Sequence, residues 1–311
     1  MNQRDLQYFK CIAETKSVSK AAKELFIAQP SLSQALKKIE DEIGTPLFIR
    51  HHRGMDLTLA GEKYYLAAKE ILNIYDDFKS EVSYINNLKK GRLTIGTVSF
   101  LGSYILPRIL PEFIKKYPNI EIYLEEDLTA PLEKLIIDAN VDLAILHVHP
   151  KNIKNSIDYE KLYKDPFVLL AKKNHKIKDL AVFNKNISKY EIDLKSLKDE
   201  KFIVLNKDQG IRKISEILWN EAGIIPNISF STKNFETGKK LAAEGVGLIL
   251  LPELYTKMFN DGCEFDTYAI ANTPNAYWET CIATRSNTYT SKIAYVFIEV
   301  VREYFKNNTP L

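Results

Sequence analysis

The longest uninterrupted pattern in the sequence is helical, and it separates a short N-terminal part from a long C-terminal part. Between Thr58 and Lys89 there is no proline, and no glycine after Gly61. Apolar residues alternate spacings of four and three, at Tyr64, Ala68, Ile71, Tyr75, Phe78, Val82 and Ile85. Such a heptad seam is typical of paired helices, and about 30 residues at 1.5 Å each make a rod of roughly 45 Å. We expect a dimerisation helix; a helix lying on the chain's own C-terminal part is the alternative.

Length, net charge, hydropathy and cysteine content limit the classes of protein to which this chain can belong. A chain of 311 residues is too long for one compact core, so we expect at least two domains. Its net charge of +3 neither demands nor excludes nucleic acid. The N-terminus lacks the apolar run of a signal peptide, and no stretch approaches a membrane span, so we expect a cytoplasmic protein without a membrane partner. The scattered Cys11, Cys263 and Cys281 suit reduced thiols, with a redox pairing of Cys263 and Cys281 as the less favoured alternative.

The first 57 residues predict short helices. Leu6, Phe9 and Ile12 fall on one helical face. A second short helix around Lys20–Leu25 can be capped by Ser17 or Ser19, and a turn then leads to Pro30, a residue favoured in the first turn of a helix. We therefore expect an all-α head built from three helices.

The third helix has the informative surface. Its apolar face is made of Leu32, Leu36, Ile39 and Ile43, and Gly44 ends it. Its other face is polar and consists of Ser31, Ser33, Gln34, Lys37 and Lys38. Amides and hydroxyls can read base edges in a major groove about 12 Å wide, and ammonium groups can meet phosphates. The pattern favours a recognition helix, although a solvated amphipathic helix has the same periodicity.

A basic turn follows this helix. Leu47-Phe48-Ile49 is a short apolar run, Arg50-His51-His52-Arg53-Gly54 is the turn, and Leu57-Thr58-Leu59 resumes the apolar pattern. A hairpin tip with Arg50 and Arg53 beside a helix-turn-helix predicts a wing that contacts phosphates or a minor groove. An exposed loop without that role is the alternative.

From Arg92 onward, strand-like runs alternate with helical runs, which is typical of an α/β fold. Two sets of this alternation predict two lobes, I (about 91–162 and 268–311) and II (about 163–267). Ligands of open α/β sheets bind beyond the carboxyl ends of the strands, where helix N-termini suit an anion. The turns at these ends hold Ser99, Phe100, Thr129, His147, Asn206 and Thr232. We interpret the polar stretch Lys172–Lys201 as a surface excursion of lobe II.

Together these segments resemble the LysR-type transcriptional regulators. The resemblance is specific over roughly the first 65 positions. It is carried by the segments Ser17–Leu25, Gln29–Gln34, Ile39-Glu40, Gly44–Phe48 and Leu57–Gly61. Ala28 departs from the pattern, because a hydroxyl residue that caps the recognition helix is common there. The C-terminal part resembles the family less specifically.

The resemblance implies a fold, partners and site residues. It implies an N-terminal winged helix-turn-helix (1–57), a linker helix (58–90) and a two-lobed effector domain like a periplasmic solute-binding protein (91–311). Gln29, Pro30, Ser33 and Gln34 would approach the groove, with Arg53 on the wing. Ser99 and Thr129 are the leading candidates for hydrogen bonds to the effector, and His147 and Asn206 are the next. The expected partners are a double-stranded DNA operator, an anionic organic or amino acid, and further copies of the chain as dimer or tetramer; RNA polymerase is a candidate.

Two other classes of function stay open at this point. A stand-alone solute-binding module leaves residues 1–57 without a role. An α/β enzyme with a helical N-terminal cap, such as an amino-acid lyase, lacks support because the sequence has no Walker-type loop, dinucleotide-binding turn or nucleophile elbow. His147-Val148-His149 could bind a metal, but pocket histidines are commoner. We expect no catalytic residue, no metal and no cofactor.

Overall fold

The computed structural model describes residues 2–52, 54–85, 91–257 and 262–307, without the side chains of residue 77 and residues 79–85. Three consecutive units follow one another along the chain: a helical head, one long helix and a large α/β part. In the described part of the chain, no helix combines the length and apolar character needed to cross a membrane.

The head is a three-helix unit closed by a hairpin. It comprises α1 (Gln3–Thr15), α2 (Val18–Glu24), α3 (Gln29–Ile43), β1 (Phe48–His51) and β2 (Gly54–Leu57). Ser17 caps α2, Ala28 precedes α3 without a side-chain cap, and Gly44 ends α3 at a φ of 80°. Phe9, Leu32 and Leu36 lie in its core. The caps follow the expectations from the sequence, because they depend on local backbone hydrogen bonds.

Helix α4 (Leu59–Ile85) begins where the hairpin ends. The Thr58 hydroxyl accepts a hydrogen bond of 3.0 Å from the Gly61 amide, which caps the helix. Leu6 of α1 packs with Ala68 and Leu72 of α4, and Tyr64 packs beside them. The first two positions of the expected seam therefore pack on the head.

The α/β part begins as parallel β-α-β units. Its first elements are β3 (Gly91–Thr97), α5 (Ser99–Tyr104), α6 (Leu106–Lys116), β4 (Ile120–Glu126), α7 (Thr129–Ile137) and β5 (Leu143–Val148). β3 pairs in parallel with both β4 and β5. Consequently, α5 and α7 both start at the carboxyl ends of strands in one sheet.

A second set of elements follows. These are β6 (Ile157–Lys172), β7 (Val182–Asn184), β8 (Lys189–Ile192), β9 (Lys201–Leu205), α8 (Gly210–Ala222), β10 (Asn227–Thr232), α9 (Phe235–Ala243), β11 (Ile249–Pro252), α10 (Glu253–Lys257), β12 (Phe265–Ile270), β13 (Tyr277–Arg285) and α11 (Lys292–Asn307). β9 and β10 form a parallel pair, and β13 returns to pair antiparallel with β5 and β6.

Strand β6 belongs to both lobes. Its residues from Ile157 to Pro166 pair with β13, and those from Phe167 to Lys172 pair with β11 and β12. The chain therefore crosses between the lobes within one continuous strand.

The stretch Lys172–Lys201 is more than a surface excursion. It contains β7 and β8, and β8 pairs in parallel with β12 at the edge of the sheet. Ile177, Ile192, Leu194 and Leu197 are buried in the main core. The sequence pattern does not indicate that this segment contributes to the core, because only isolated apolar side chains anchor an otherwise polar stretch.

Candidate functional site

The polar face of α3 is accessible. Gln29, Pro30, Ser31, Gln34 and Lys37 are exposed, and Ser33 is half-buried. On the opposite face, Leu32 and Leu36 are fully buried in the head. The helix therefore presents amide, hydroxyl and ammonium groups outward, which are the groups that read base edges and bind phosphates.

A serine that precedes α3 orients the first residue of this face. The Ser19 hydroxyl of α2 donates a hydrogen bond of 3.0 Å to Gln29 Oε1. The sequence indicates Ser19 only as an alternative helix cap, a role that Ser17 takes. Because the bond joins α2 to α3, the sequence gives no local signal for it.

The hairpin is fixed to the head at its root. Glu40 of α3 accepts hydrogen bonds from the amides of Leu47, at 2.8 Å, and Phe48, at 3.3 Å. Arg50 is exposed on β1, opposite Met55 on β2. Arg53, the other expected wing residue, lies outside the described residues. The root contacts set the angle at which the turn leaves α3.

A second set of contacts holds the other strand of the hairpin. Asp56 pairs with Lys16 at 3.1 Å and with His51 at 2.9 Å. The hydrogen bonds from Lys16 and then from His51 lower the pKa of the Asp56 carboxyl. Glu40 and Asp56 thus position the wing on either side of its turn.

A cleft of about 460 Å³ opens between the two lobes. Its walls come from the ends of β3, β5 and β9 and from the first turns of α5, α7, α8 and α9. Its lining residues are Val98, Ser99, Phe100, Ser103, Asp127, Leu128, Thr129, His147, Leu205, Gln209, Gly210, Ile211, Lys233, Asn234, Phe235, Glu236, Tyr255 and Trp278. The volume is in the range that holds a small organic molecule.

The floor of the cleft is aromatic and uncharged. The His147 ring lies flat on Trp278, with ring centroids 4.1 Å apart and planes at 3°. His147 Nε2 is 3.1 Å from the Tyr255 hydroxyl, and Nδ1 is 3.1 Å from the Thr280 hydroxyl. Burial lowers the pKa of His147 to about 3, so the ring stays neutral at physiological pH.

The rim of the cleft is polar. Leu128 precedes α7 and Gln209 precedes α8, and neither side chain caps its helix, which leaves amide groups of the first turns available. Ser99 is exposed at the start of α5, and the Thr129 hydroxyl donates to the His147 carbonyl at 3.1 Å. Amides at helix N-termini favour a negatively charged group.

Two of the expected effector residues do not line the cleft. Asn206 Oδ1 accepts a hydrogen bond of 3.2 Å from the Ser231 hydroxyl, and the Thr232 hydroxyl accepts one of 3.1 Å from the Asn234 amide. These bonds hold Asn206 against β10 and Thr232 against the turn that leads into α9. The structure instead brings Ser99, Phe100, Thr129 and His147 together in the cleft wall.

Sequence reasoning missed the residues beside those two turns. Gln209 donates a hydrogen bond of 2.7 Å to the Lys233 carbonyl and so ties the start of α8 to the start of α9. Asn234 caps α9, a position that its place before the helix could have indicated. Tyr255 and Trp278 had no such signal, because they are apolar positions far along the chain.

Both ring nitrogens of His147 and one ring nitrogen of His149 have protein hydrogen-bond partners. Both ring nitrogens of His147 face hydroxyl groups, and His149 Nδ1 accepts a hydrogen bond from the Lys151 amide at 3.3 Å. Within residues 2–52, 54–85, 91–257 and 262–307, no group of three or more His, Cys, Asp or Glu is placed to hold a metal ion.

Two family models together match most of this chain. The family "Bacterial regulatory helix-turn-helix protein, lysR family" matches residues 3–62, and the "LysR substrate binding domain" matches residues 86–306. The uncharacterised regulator YcgK of Bacillus subtilis is 30% identical over 98% of this chain and 95% of its own. The regulator CzcR of Bacillus anthracis is 29% identical over 99% of both chains. Full-length OxyR from Pseudomonas aeruginosa has a similar fold, with a TM-score of 0.71, 22% identity, and coverage of 100% of this chain and 96% of its own.

Proposed function

Because the chain belongs to the LysR family of DNA-binding transcriptional regulators, we propose that its effector closes the cleft and thereby changes how paired heads sit on DNA. Members of this family are regulators with an effector-binding C-terminal domain, and they are not enzymes. The observation that carries the proposal is the 460 Å³ cleft, whose aromatic floor and polar rim lie between two lobes. A ligand that contacts both lobes stabilises the closed state over the open one. We propose the cytoplasm as its location.

We propose an amino acid with an apolar side chain as the effector, with an organic acid as the second choice. The free amides at the starts of α7 and α8 support binding of a carboxylate. The carboxylates of Asp127 and Glu236 also line the cleft, which favours a ligand that carries an ammonium group as well. Phe100, Tyr255 and Trp278 provide the apolar surface. Ser99 and Thr129 are the proposed hydrogen-bonding residues.

We propose that α3 enters the major groove. Its exposed residues Gln29, Pro30, Ser31, Gln34 and Lys37, with the half-buried Ser33, support direct reading of bases. Arg50 and Arg53 would contact phosphates or the minor groove beside it. This placement of α3 and the two arginines on DNA is proposed from the geometry of the head alone.

We divide the chain into a head (1–57), a linker helix (58–90) and an effector domain (91–311). The pairing of β6 supports a crossing between the lobes at 166/167, and the pairing of β12 up to Ile270 supports a return after that residue. Both points lie a few residues later than the sequence expectation of 162/163 and 267/268. Strand register supports these later boundaries.

A second copy of the chain is the proposed partner of α4. Beyond the two seam positions that pack on the head, Ile71, Tyr75 and Phe78 are 39%, 40% and 60% exposed. Large apolar side chains at alternating spacings of four and three on one helix face favour pairing with an identical helix. Two heads on a twofold axis would read a pseudo-palindrome. Val82 and Ile85, whose side chains lie outside the described residues, would continue the seam; a tetramer and a contact with RNA polymerase stay proposals.

Two linked measurements test the proposed function. A duplex is first selected from a random library by the full-length protein, and its binding is measured by fluorescence anisotropy at increasing salt. We expect affinity to fall steeply with salt, because lysine and arginine contacts release counterions. Amino acids and organic acids are then screened by thermal shift, and each stabilising compound is tested for a change in footprint or DNA bend. A compound that binds tightly yet leaves footprint and bend unchanged would contradict the coupling.

A further inference from the structure

The linker helix holds a lysine that is buried against lobe I. Lys69 of α4 is only 4% exposed. Its Nζ donates hydrogen bonds to the Asp138 carbonyl and to Asn140 Oδ1, both at the C-terminal end of α7. The C-terminal end of a helix carries a partial negative charge, so it is a favourable partner for an ammonium group. The contact joins two segments about 70 positions apart in sequence.

Two further polar contacts lie beside this one. The Glu70 carboxylate is 3.1 Å from the Arg285 guanidinium at the end of β13. Asn73 Nδ2 donates a hydrogen bond of 3.4 Å to the Ala139 carbonyl. Since α7 and β13 both belong to lobe I, one and a half turns of α4 are fastened to the same lobe.

The same stretch of α4 is also fastened to the head. The Tyr65 hydroxyl is 3.0 Å from Glu14 Oε1 of α1, and Ala68 and Leu72 pack against Leu6. Lys69 therefore lies where α1, α4 and α7 meet. A connection through rigid helices transmits orientation, whereas a free linker allows the domains to move independently.

Helix α7 links this junction to the cleft. It starts at Thr129 in the cleft wall and ends at Ile137, directly before Asp138. Leu132 and Ile136 are buried in lobe I. The helix is thus a rigid part of lobe I with one end at the effector cleft and the other at Lys69.

We propose that Lys69 fixes the head to lobe I, so that head and lobe I move as one body and effector closure is expressed as movement of lobe II. The proposal rests on the proposed function for its regulatory meaning, but the junction itself can be tested without DNA or effector. Lys69 acts as a positioning residue, since it touches neither the cleft nor the recognition face. Lys69→Met keeps the length of the side chain and removes the ammonium group that bridges α4 to α7.

Pulsed electron spin resonance on the full chain measures the proposed rigidity. Spin labels are attached at Lys23→Cys in α2 and Lys115→Cys in α6, both exposed positions, with Cys11, Cys263 and Cys281 replaced by serine or alanine. Labelled protein is diluted with unlabelled protein so that only distances within one chain contribute. We expect one narrow distance distribution between head and lobe I, and a width about twofold larger in Lys69→Met. Lys134→Met, which removes an exposed lysine from α7 itself, should leave the width unchanged.

A second variant makes the test independent of how Lys69→Met folds. Asn140→Ala removes one acceptor from the lobe side of the contact, at an exposed residue. It should broaden the distribution in the same direction. The proposal is overturned if the starting protein is as broad as the variants, or if both variants stay narrow while circular dichroism reports intact folding. A failure to bind duplex in the other experiment would leave this result standing, so the two outcomes are distinguishable.

Discussion

Asp165 Oδ2 accepts a hydrogen bond of 3.3 Å from Trp278 Nε1, and Oδ1 of the same carboxyl accepts one of 3.1 Å from the Leu254 amide. Trp278 belongs to β13 in lobe I, and Leu254 lies in the first turn of α10 in lobe II. One fully buried carboxyl group therefore ties the floor of the cleft to both lobes. Burial raises the pKa of Asp165 to about 7, because loss of solvation outweighs the two hydrogen bonds that lower it.

This raised pKa predicts a pH-dependent stability. The carboxyl ionises near 3.8 in the unfolded chain, so between about pH 4 and pH 7 the folded state holds more protons. Stability from this group is therefore lost as pH rises through that window. We expect the unfolding free energy of the wild type, minus that of Asp165→Asn, to fall by up to about 4 kcal/mol across it and then level off. Urea unfolding at a series of pH values measures the difference.

Subtracting the unfolding free energy of Asp165→Asn from that of the wild type isolates the contribution of Asp165 from those of other titratable groups. His147, whose pKa is lowered to about 3, also titrates on unfolding, but its contribution is common to both proteins and cancels. The exposed Asp179→Asn is the matched control for replacing a carboxyl group by an amide. A flat difference for Asp165→Asn from pH 4 to pH 8 would refute the assignment.

Gly61 is required by a close approach of two backbones. A Cβ at this position would lie 2.0 Å from the Leu47 carbonyl oxygen, a contact that backbone atoms cannot relieve by rotating. We predict that Gly61→Ala lowers the unfolding free energy by at least about 2 kcal/mol, because α4 must move away from the wing. Thermal unfolding measures the loss. Gly210→Ala, where a Cβ would make an ordinary contact of 3.5 Å with Trp278, should stay near the wild-type melting temperature.

Phe26 carries backbone strain in the turn before α3. Its φ is 54°, a region that side chains with a Cβ rarely adopt, and its ring is 95% exposed. We expect Phe26→Gly to raise the unfolding free energy by about 1 kcal/mol, because the strain is relieved and little apolar contact is lost. Phe26→Ala keeps a Cβ and should gain little. Equal stabilisation by both substitutions would show that the exposed ring, and not the backbone, accounts for the effect.

The recognition face and the wing should differ in how they affect specificity. Gln34→Ala should cost about 1–3 kcal/mol on the selected duplex and little on random DNA, since an amide reads base edges. Arg50→Ala should weaken binding to both duplexes alike and reduce the salt slope by about 1, as expected of a phosphate contact. Anisotropy titrations on the two duplexes measure both effects, with the exposed Gln7→Ala of α1 as control. An equal loss on both duplexes for Gln34→Ala would argue against base reading.

The head was the most predictable part of the fold. Its signals are local: Ser17 and Thr58 precede helices, Gly44 ends one, and the spacing of Leu32, Leu36 and Ile39 separates the buried face from the exposed one. Each of these depends on contacts within a few residues along the chain. The helices and the polar face of α3 could therefore be predicted from sequence.

The cleft was only partly predictable. Ser99 and Thr129 follow strands of the same sheet, so their meeting was expected from topology. Asn206 and Thr232 also lie at the ends of strands, but Asn206 is bonded to Ser231 of the neighbouring strand and Thr232 to the Asn234 amide, and the sequence pattern does not indicate these bonds. Trp278 reaches the floor from the far end of the chain, by the antiparallel return of β13.

Lys69 illustrates a further limit on what the sequence can predict. It lies within a helix whose period predicts pairing with another helix, and lysine is normally a surface residue. Its burial comes from lobe I, which folds from sequence that follows it by about 70 positions. The contact depends on how two units pack, which no property of the helix itself determines.

The path of β13 has a genetic consequence. This strand pairs with β5 and β6 only after the chain has run through all of lobe II. A premature stop codon between β6 and β13 would deprive β5 and β6 of their partner strand and abolish the effector pocket. The head and α4 would already be complete. With the proposed pairing of α4, such a fragment would still bind operator DNA and combine with intact copies. We therefore expect nonsense alleles in this interval to be dominant over the intact gene and unresponsive to the effector.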